Sequence, residues 1–327
     1  MDLTKMAIAI CEVLICFKIA AAVNLTGKGT VPNLREIIIG RCIEYQTGLV
    51  VQNDNMDLEE LGSKNCTRIW EHFRDSFAYR HPCDVSMEDY DEFLEASKTK
   101  IPKNMATYWD GWDIYTIVTN YANKGQRSVT LETTLPGYLG NGISFCGSPE
   151  NDGLGYEKCA AEGDCGFGKG ALEAFWSKLS TYFGSEGEGN VKVFFNSNRE
   201  HGSFQEYNSF FYHFEVLYLN STRVNHMDIF VVTELNQTRG DTCESPSLIR
   251  LGELLDERHI SHSCYEQPEA VMHVLCADEP DHADCQFKVR SGGTSALWFS
   301  SSRQTTYLYC CFYFLTFFAY WRLTHFP

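Results

Sequence analysis

The 327-residue sequence predicts an α+β fold in which a helical N-terminal lobe packs on a C-terminal α/β lobe with a small parallel sheet. The predicted lobes span residues 23–185 and 186–290. In the first, apolar residues recur at the three- and four-residue steps of helices. In the second, short apolar runs typical of strands alternate with amphipathic helical segments, as in a parallel sheet. Ten cysteines lie between the predicted terminal signals, and an even number in an exported chain indicates five disulfides.

The first lobe is predicted to be mostly helical. Apolar spacing places helices over residues 34–45, 67–78 and 171–183. Ser86 belongs to a residue type that caps helix N-termini, and acidic residues follow it, so a further helix is predicted to start there. These helices are expected to form one wall of a cleft between the two lobes.

The second lobe is predicted to contain a sheet. Apolar runs over residues 191–195 and 227–235 predict strands, and 260–264 is compatible with a short third strand. Pro246 and Pro268 each precede an amphipathic pattern, and proline favours the first turn of a helix. Strands separated by helices in this way predict parallel pairing.

The start of the chain is typical of a signal peptide. Within residues 1–22, an apolar stretch is followed by the small-residue cleavage pattern Ala20-Ala21-Ala22. An uncleaved membrane anchor is the alternative, although the stretch is shorter than the ~20 residues of a usual membrane span.

The end of the chain, residues 291–327, is typical of a GPI-attachment signal that is removed on processing. Small acceptor residues precede a polar spacer and a short apolar tail. The acceptor is one of three small residues, Ser291, Gly292 or Gly293. A membrane helix is the alternative, and either end places the globular part outside the cell. The sequence thus predicts an enzyme or receptor of the extracellular face of the plasma membrane.

Four Asn-x-Ser/Thr sequons agree with this location and predict exposed backbone around them. They are Asn24, Asn65, Asn220 and Asn236. The formal net charge of −16 disfavours nucleic acid and anionic membrane as partners. The same charge opposes an anionic ligand, unless the pocket itself is basic or supplies backbone amides.

The common metal, phosphate and hydrolase motifs are absent from the sequence. There is no HExxH, Walker loop, GxGxxG or GxSxG. The ten cysteines form no CxxC pair, and the closest histidines, His259 and His262, lie at a predicted strand start. We therefore expect neither a bound metal nor a cofactor.

The segment TLETTLPGY at residues 130–138, followed by Phe145-Cys146-Gly147, resembles the signature of the ADP-ribosyl cyclase / NAD glycohydrolase family, TLEDTLxGY before WCG. Further stretches resemble other motifs of this family, at residues 40–42, 81–84, 103–109, 121–123, 175–176 and 209–216. The resemblance extends over about residues 40–287. It implies an enzyme that cleaves the nicotinamide–ribose bond of NAD or NADP, so that the dinucleotide is a substrate and not a cofactor.

Cleavage of this bond needs an anion more than it needs an acid. Nicotinamide is a pyridinium cation in NAD and leaves as a neutral molecule, so the general acid of ordinary glycosidases is not required. An anion beside C1′ of the ribose stabilises the developing charge or adds to it covalently. The resemblance assigns this role to Glu215, which from the residues alone would be an exposed carboxylate at a strand end.

The resemblance also assigns residues around the substrate. Trp109 and Trp176 match two stacking tryptophans, and an aromatic face attracts a pyridinium. From the residues alone both would be core residues, and Trp112 is a nearby alternative to Trp109. The remaining assignments are Glu132 at the nicotinamide end, Ser180 near the diphosphate, Phe210 and Phe211 as pocket walls, and Asn141 at an acidic position of the family.

Three positions depart from the family pattern and bear on the product. Thr133 replaces the usual Asp, Asn141 an acidic residue, and Asp110 a small hydroxyl residue. Water captures the intermediate to give ADP-ribose, whereas adenine N1 captures it to give cyclic ADP-ribose. Because the signature and pocket are altered, we expect a predominant hydrolase with weak cyclase activity. A catalytically silent receptor or adhesion ectodomain, and a two-carboxylate glycosidase, are the alternatives.

The family pairing of cysteines implies the disulfides Cys42–Cys66, Cys83–Cys165, Cys146–Cys159, Cys243–Cys264 and Cys276–Cys285. Among these, Cys83–Cys165 closes the longest loop and is expected to stabilise the fold most. The resemblance alone points to a homodimer.

Overall fold

The computed structural model describes residues 25–48, 64–125, 128–150, 152–207 and 209–285. The predicted signal peptide, the sequon at Asn24 and the predicted anchor signal lie outside the described residues. Within the described part of the chain, no helix is both long and apolar enough to cross a membrane.

These residues form both helices and strands. The α-helices are α1 (Leu34–Gln46), α2 (Cys66–Asp75), α3 (Asp91–Ser97), α4 (Tyr115–Gly125), α5 (Leu135–Gly140), α6 (Ala171–Glu186), α7 (Pro246–Glu257) and α8 (Glu269–Asp278). The strands are β1 (Gly27–Lys28), β2 (Thr107–Asp110), β3 (Lys158–Cys159), β4 (Gly189–Asn196), β5 (Val224–Val232) and β6 (Ser261–Glu266). The predicted α+β class is confirmed.

Strands β2, β4, β5 and β6 form a parallel sheet in that order. The three strands predicted after residue 186 are present, and the two helices predicted at Pro246 and Pro268 are present as α7, between β5 and β6, and α8, after β6. Strand β2 was not predicted, because its four residues are too few to show an alternating pattern. It comes from the part of the chain expected to be helical, so the sheet is built from both parts. The predicted boundary near residue 185 stays a prediction.

The helices expected from apolar spacing are present as α1, α2 and α6. At the predicted helix start, Ser86 precedes a 3-10 turn that leads into α3. The backbone N–H of Ser86 donates to the carboxylate of Asp89 at 2.8 Å, which satisfies one of the unpaired donors of the turn.

The sheet is covered on both faces, and strand β4 shows how. Phe194 packs with residues of α4 and α8 on one face, including Ile117 and Val271. Its neighbours Val193 and Phe195 point to the larger core on the other face, as the two-residue period of a strand requires. Parallel sheets of this kind place ligand sites outside the carboxyl ends of their strands.

All five disulfides implied by the family resemblance are present, so that prediction is confirmed. Cys83–Cys165 spans 82 residues of sequence and ties the start of the α3 region to the loop before α6. The other four bridges span 24 residues or fewer.

The three described sequons lie at the surface. Asn65, Asn220 and Asn236 are all exposed. The side chain of Asn65 caps α2 by accepting from the N–H of Arg68 at 3.0 Å. In each case the exposed side chain agrees with the predicted accessibility of the sequon, and glycosylation itself stays a prediction.

Candidate active site

A cavity of about 350 Å³ opens at the carboxyl end of β2. Its walls come from the end of β2, the 3-10 turn at Leu131–Thr133, helix α6 and the segment after β4. Six of the predicted site residues line it together: Trp109, Glu132, Trp176, Ser180, Phe210 and Glu215. A cleft that brings several carboxylates and aromatic side chains together has the features of a small-molecule site.

Glu215 is the last residue of a single π-helical turn, Phe211–Glu215. The segment is therefore helical and the carboxylate is 6% exposed, in contrast to the exposed strand end indicated by the residues alone. Single π-helical turns occur frequently at functional sites. Helix α6 packs directly against this turn, because Gly184 has no side chain: a Cβ there would lie 2.6 Å from the carbonyl oxygen of Glu215.

The carboxylate of Glu215 is only partly satisfied. The Ser180 hydroxyl donates to Oε1 at 3.0 Å, and Oε2 has no hydrogen-bond partner within the described residues. Burial raises the pKa of Glu215 well above its usual range; the Ser180 hydrogen bond opposes this, and the nearby charges of Glu132 and Asp110 add to it. A buried anion with a free oxygen is poised to stabilise a cation that develops beside it.

Glu132 is fixed by the signature segment itself. Gly137 packs on the preceding turn so closely that a Cβ there would lie 2.0 Å from the carbonyl oxygen of Leu131. The indole Nε1 of Trp109 donates to Glu132 Oε2 at 3.4 Å. Burial raises the pKa of Glu132, and hydrogen bonds, including the one from Trp109, oppose that increase.

The structure distinguishes the two tryptophans near residue 110. Trp109 lies inside the cavity against Glu132, whereas Trp112 is 75% exposed and sits at the cavity mouth. The two rings contact edge to face, with centroids 5.6 Å apart. Trp176 reaches the cavity from α6 and packs edge to face on Phe175. Trp109 and Trp176 therefore both offer an aromatic face to the cavity.

Phe210 and Phe211 occupy different environments, although they are adjacent. Phe210 lines the cavity, whereas Phe211 is fully buried in the core against Tyr108 and Phe195 and does not line it. Successive residues of a helical turn point in different directions, so the expectation of two pocket walls applies to Phe210 alone.

Asn141 is not among the residues that line the cavity. Its side-chain amide donates to the hydroxyl of Tyr115 at 3.0 Å, and Tyr115 is a lining residue. Asn141 thus lies behind the wall and supports an aromatic ring of the mouth.

Arg199 is a further residue of the cavity and was not predicted from the sequence. It follows β4 by three residues, lines the cavity and forms an ion pair with Asp110, whose Oδ2 also accepts from Ser209 Oγ at 2.9 Å. The negative charge of Asp110, which was expected to oppose phosphates, therefore has a cationic partner. Its position just beyond the carboxyl end of a predicted parallel strand is the sequence feature that could have identified it.

Glu173, an acidic residue of the cavity that was not predicted as a site residue, fixes the loop before α6. Glu173 is buried, and its carboxylate accepts from the backbone N–H groups of Gly163 and Gly168, at 3.1 and 2.6 Å. The disulfide Cys83–Cys165 fixes the same loop. Both carboxylate oxygens of Glu173 are used structurally, which distinguishes it from Glu215.

Comparison with known proteins agrees with the family resemblance of the sequence. Residues 31–285 match the family described as ADP-ribosyl cyclase. The chain is 30% identical over 279 residues to the rat (Rattus norvegicus) protein named ADP-ribosyl cyclase/cyclic ADP-ribose hydrolase 2. The aligned residues cover 85% of this chain and 82% of that relative. It is 28% identical over 278 residues to ADP-ribosyl cyclase/cyclic ADP-ribose hydrolase of Aplysia californica, covering 83% of this chain and 95% of that one.

Solved structures are similar over the same part of the chain. A structure of Aplysia cyclase complexed with substrate NGD and product cGDPR superposes with a TM-score of 0.70 at 28% identity, covering 80% of this chain and 99% of that one. A structure of porcine CD38 with a covalent intermediate superposes with a TM-score of 0.66 at 29% identity, covering 74% of this chain and 99% of that one. With the family match, the signature segment and the shared fold together, the chain belongs to the ADP-ribosyl cyclase family.

Proposed function

We propose that this protein is a NAD(P)+ glycohydrolase that releases nicotinamide from the dinucleotide and forms chiefly ADP-ribose. The observation that carries the proposal is the buried carboxylate of Glu215, which has a free oxygen and shares a cavity with Trp109, Trp176 and Glu132. Buried carboxylates cost folding free energy. A silent receptor or adhesion domain has no use for several of them in one cavity, so a catalytic role accounts for the site better.

Bond cleavage follows from the charges of the substrate. The C1′–nitrogen bond breaks, its electron pair stays on the ring nitrogen, and nicotinamide leaves without needing a proton. Positive charge moves from the pyridinium to the ribose, and the carboxylate of Glu215 stabilises it or forms a bond to C1′. Trp109 and Trp176 provide faces for the pyridinium ring. The hydrogen bond from Trp109 to Glu132 holds this ring and this carboxylate in a fixed relation.

Hydrolysis is completed when water attacks C1′, which displaces the Glu215 carboxylate if it has bonded to this carbon, and a proton of the water passes to Glu215, which leaves ADP-ribose. Cyclisation needs adenine N1 to reach the same carbon instead. Thr133 and Asn141 stand where the family pattern has acidic residues, and Asn141 supports Tyr115 instead of lining the cavity. With these changes we propose hydrolysis as the main outcome and cyclic ADP-ribose as a minor product. A difference of about 1.4 kcal/mol between the two barriers is tenfold in the product ratio.

The proposed setting is the extracellular face of the plasma membrane, with a GPI anchor attached at Ser291, Gly292 or Gly293. Five disulfides support an oxidising compartment, and three exposed sequons support passage through the secretory pathway. Sensitivity of the cell-surface protein to a phosphatidylinositol-specific phospholipase tests the anchor. Retention on the membrane after that treatment would favour a membrane helix.

The activity is tested by incubating the purified, disulfide-bonded protein with NAD and with NADP and separating the products by chromatography. The proposal predicts that NAD yields nicotinamide in an amount equal to the sum of ADP-ribose and a small cyclic fraction, with ADP-ribose the main product. Abundant cyclic product would overturn the assignment as a hydrolase. A folded protein that leaves both dinucleotides intact would overturn the enzymatic function altogether.

A further inference from the structure

The cavity has an unfavourable charge for the substrate proposed above. Five acidic residues line it: Asp110, Glu132, Glu162, Glu173 and Glu215. The chain as a whole carries a net charge of −16. A dinucleotide brings two further negative charges on its diphosphate. A cation within reach of the cavity therefore favours binding of the diphosphate.

Only two of the described residues that line the cavity are cationic, Lys169 and Arg199. Lys169 is exposed on the loop before α6 and forms no ion pair with the described residues. The side chain of Arg199 is 17% exposed, and its partner Asp110 is 6% exposed. Arg199 is thus the cation that the fold holds in a fixed position.

The anchoring of Arg199 uses only part of its guanidinium. Nη1 donates to Asp110 and to the carbonyl oxygen of Ser203. Nε and Nη2 make no hydrogen bond within the described part of the chain. Ser209 Oγ donates at 2.9 Å to Oδ2 of Asp110, the same oxygen that accepts from Arg199, so the anion that anchors Arg199 is itself held in place.

The backbone beside Arg199 leaves room for the guanidinium. A Cβ at Gly111 would lie 3.3 Å from Nε and 3.5 Å from Cδ of Arg199, and Gly111 has a φ of +94°. A side chain at position 111 would therefore crowd Arg199 as well as strain the backbone. Gly111 and Arg199 thus lie side by side, and the carboxylate of Asp113 also borders this position, since its Oδ1 would lie 2.6 Å from the same Cβ.

We propose, on the basis of the glycohydrolase function above, that Arg199 binds the diphosphate of the substrate and that Asp110 positions it for this purpose. The planar guanidinium presents paired N–H donors that match phosphate oxygens. The pair resolves the conflict between an acidic protein and an anionic substrate, because Arg199 is anchored to Asp110 through Nη1 and also lines the cavity. In this role Asp110 is a positioning residue and makes no contact with substrate.

The competing explanation is that Arg199 only neutralises the buried Asp110. The two explanations differ in the double variant Asp110→Asn with Arg199→Met, which removes both charges and avoids an unpaired buried carboxylate. They also differ between substrates, because nicotinamide riboside contains the scissile bond and has no phosphate.

The test measures kcat/KM for NAD and for nicotinamide riboside in the wild type, Arg199→Met, the double variant and Lys169→Met. Loss of a hydrogen bond to a charged group predicts a fall of about tenfold or more on NAD in the double variant, through KM. The fall on nicotinamide riboside is expected to be much smaller. Lys169→Met, which removes one exposed charge from the same cavity, is expected to lose less on NAD than the Arg199 variants.

Recovery of NAD turnover in the double variant, equal losses on both substrates, or an equal loss in Lys169→Met would each overturn the role of Arg199. A wild type that cleaves neither substrate would overturn the proposed function instead. Binding of ADP-ribose, measured by calorimetry, tests Arg199 separately from catalysis: the Arg199 variants are expected to bind it about tenfold more weakly. Unchanged ADP-ribose affinity would contradict the inference even in an inactive protein.

Discussion

Replacing Ser180 by alanine removes the one hydrogen bond that Glu215 receives from the described residues. The carboxylate is buried, so its charged form loses a donor that water does not replace. A hydrogen bond to a charged group contributes about 1.5–3 kcal/mol. Burial already raises the pKa of Glu215 and Ser180 opposes the increase, so the variant raises this pKa further.

Activity requires ionised Glu215, so kcat/KM falls as pH decreases through the pKa of this carboxyl. In Ser180→Ala the fall begins at higher pH. On the acid side of the profile, where the rate is proportional to the ionised fraction, 1.5–3 kcal/mol corresponds to a loss of roughly 10- to 100-fold. On the alkaline plateau the loss is much smaller. A pH profile of kcat/KM for NAD measures both regions.

Ser177→Ala is the matched control. Ser177 lies on the same helix α6, is buried, and its hydroxyl has no hydrogen-bond partner within the described residues. Its profile is expected to coincide with that of the wild type. The reasoning is refuted if the acid limb of Ser180→Ala stays in place or moves to lower pH, or if Ser177→Ala shifts it equally.

Three further predictions concern stability. Because the folded-state pKa of Glu215 is raised above its ordinary value of 4.5, its contribution to stability is present below that value and is lost as pH rises through the folded pKa. Glu215→Gln is therefore expected to melt at a higher temperature than the wild type at neutral pH, with the difference shrinking in acid; a constant difference would contradict this. Cys83→Ser with Cys165→Ser opens a span of 82 residues, and Cys276→Ser with Cys285→Ser opens one of 9. Chain entropy predicts losses of about 4–5 and about 2–3 kcal/mol in denaturant titrations, and the reverse order would contradict it. Gly184→Ala places a Cβ 2.6 Å from the carbonyl oxygen of Glu215, and this variant is expected to lower the free energy of unfolding by about 1–3 kcal/mol and to lower kcat. Gly40→Ala on α1 is the control, because a Cβ there has nothing within 4 Å, and it is expected to be neutral or stabilising. Equal melting temperatures for the two alanine variants would show that the contact with the Glu215 turn is not tight.

The longest elements were predictable from the sequence because their periodicity is strong. Helix α6 shows apolar residues at helical steps over its sixteen residues, and the second half of β5 is a run of four apolar residues. Strand β2 contains four residues with no alternation, so only its pairing with β4 reveals it. A segment this short takes its structure from tertiary contacts more than from local preference.

The candidate site was predictable where a motif carried it. The family resemblance named Glu215, Glu132 and the two tryptophans, and the structure brings them into one cavity. Burial of Glu215 did not follow from the residues, because it depends on a π-helical turn and on Gly184 of another helix. Arg199 was missed for the same reason: it pairs with Asp110, which is 89 positions away in the chain.

Glu215 is the carboxylate to which we assign cleavage of the nicotinamide–ribose bond. The most direct measurement is the rate of nicotinamide release from NAD by the wild type, Glu215→Gln and Glu173→Gln, each shown to be folded by its melting transition. Glu173 provides the control, because it is a buried carboxylate of the same cavity whose oxygens bind the backbone. We predict that Glu215→Gln loses at least about a hundredfold in kcat, while Glu173→Gln retains most of its activity. A folded Glu215→Gln variant that releases nicotinamide at the wild-type rate would contradict the account.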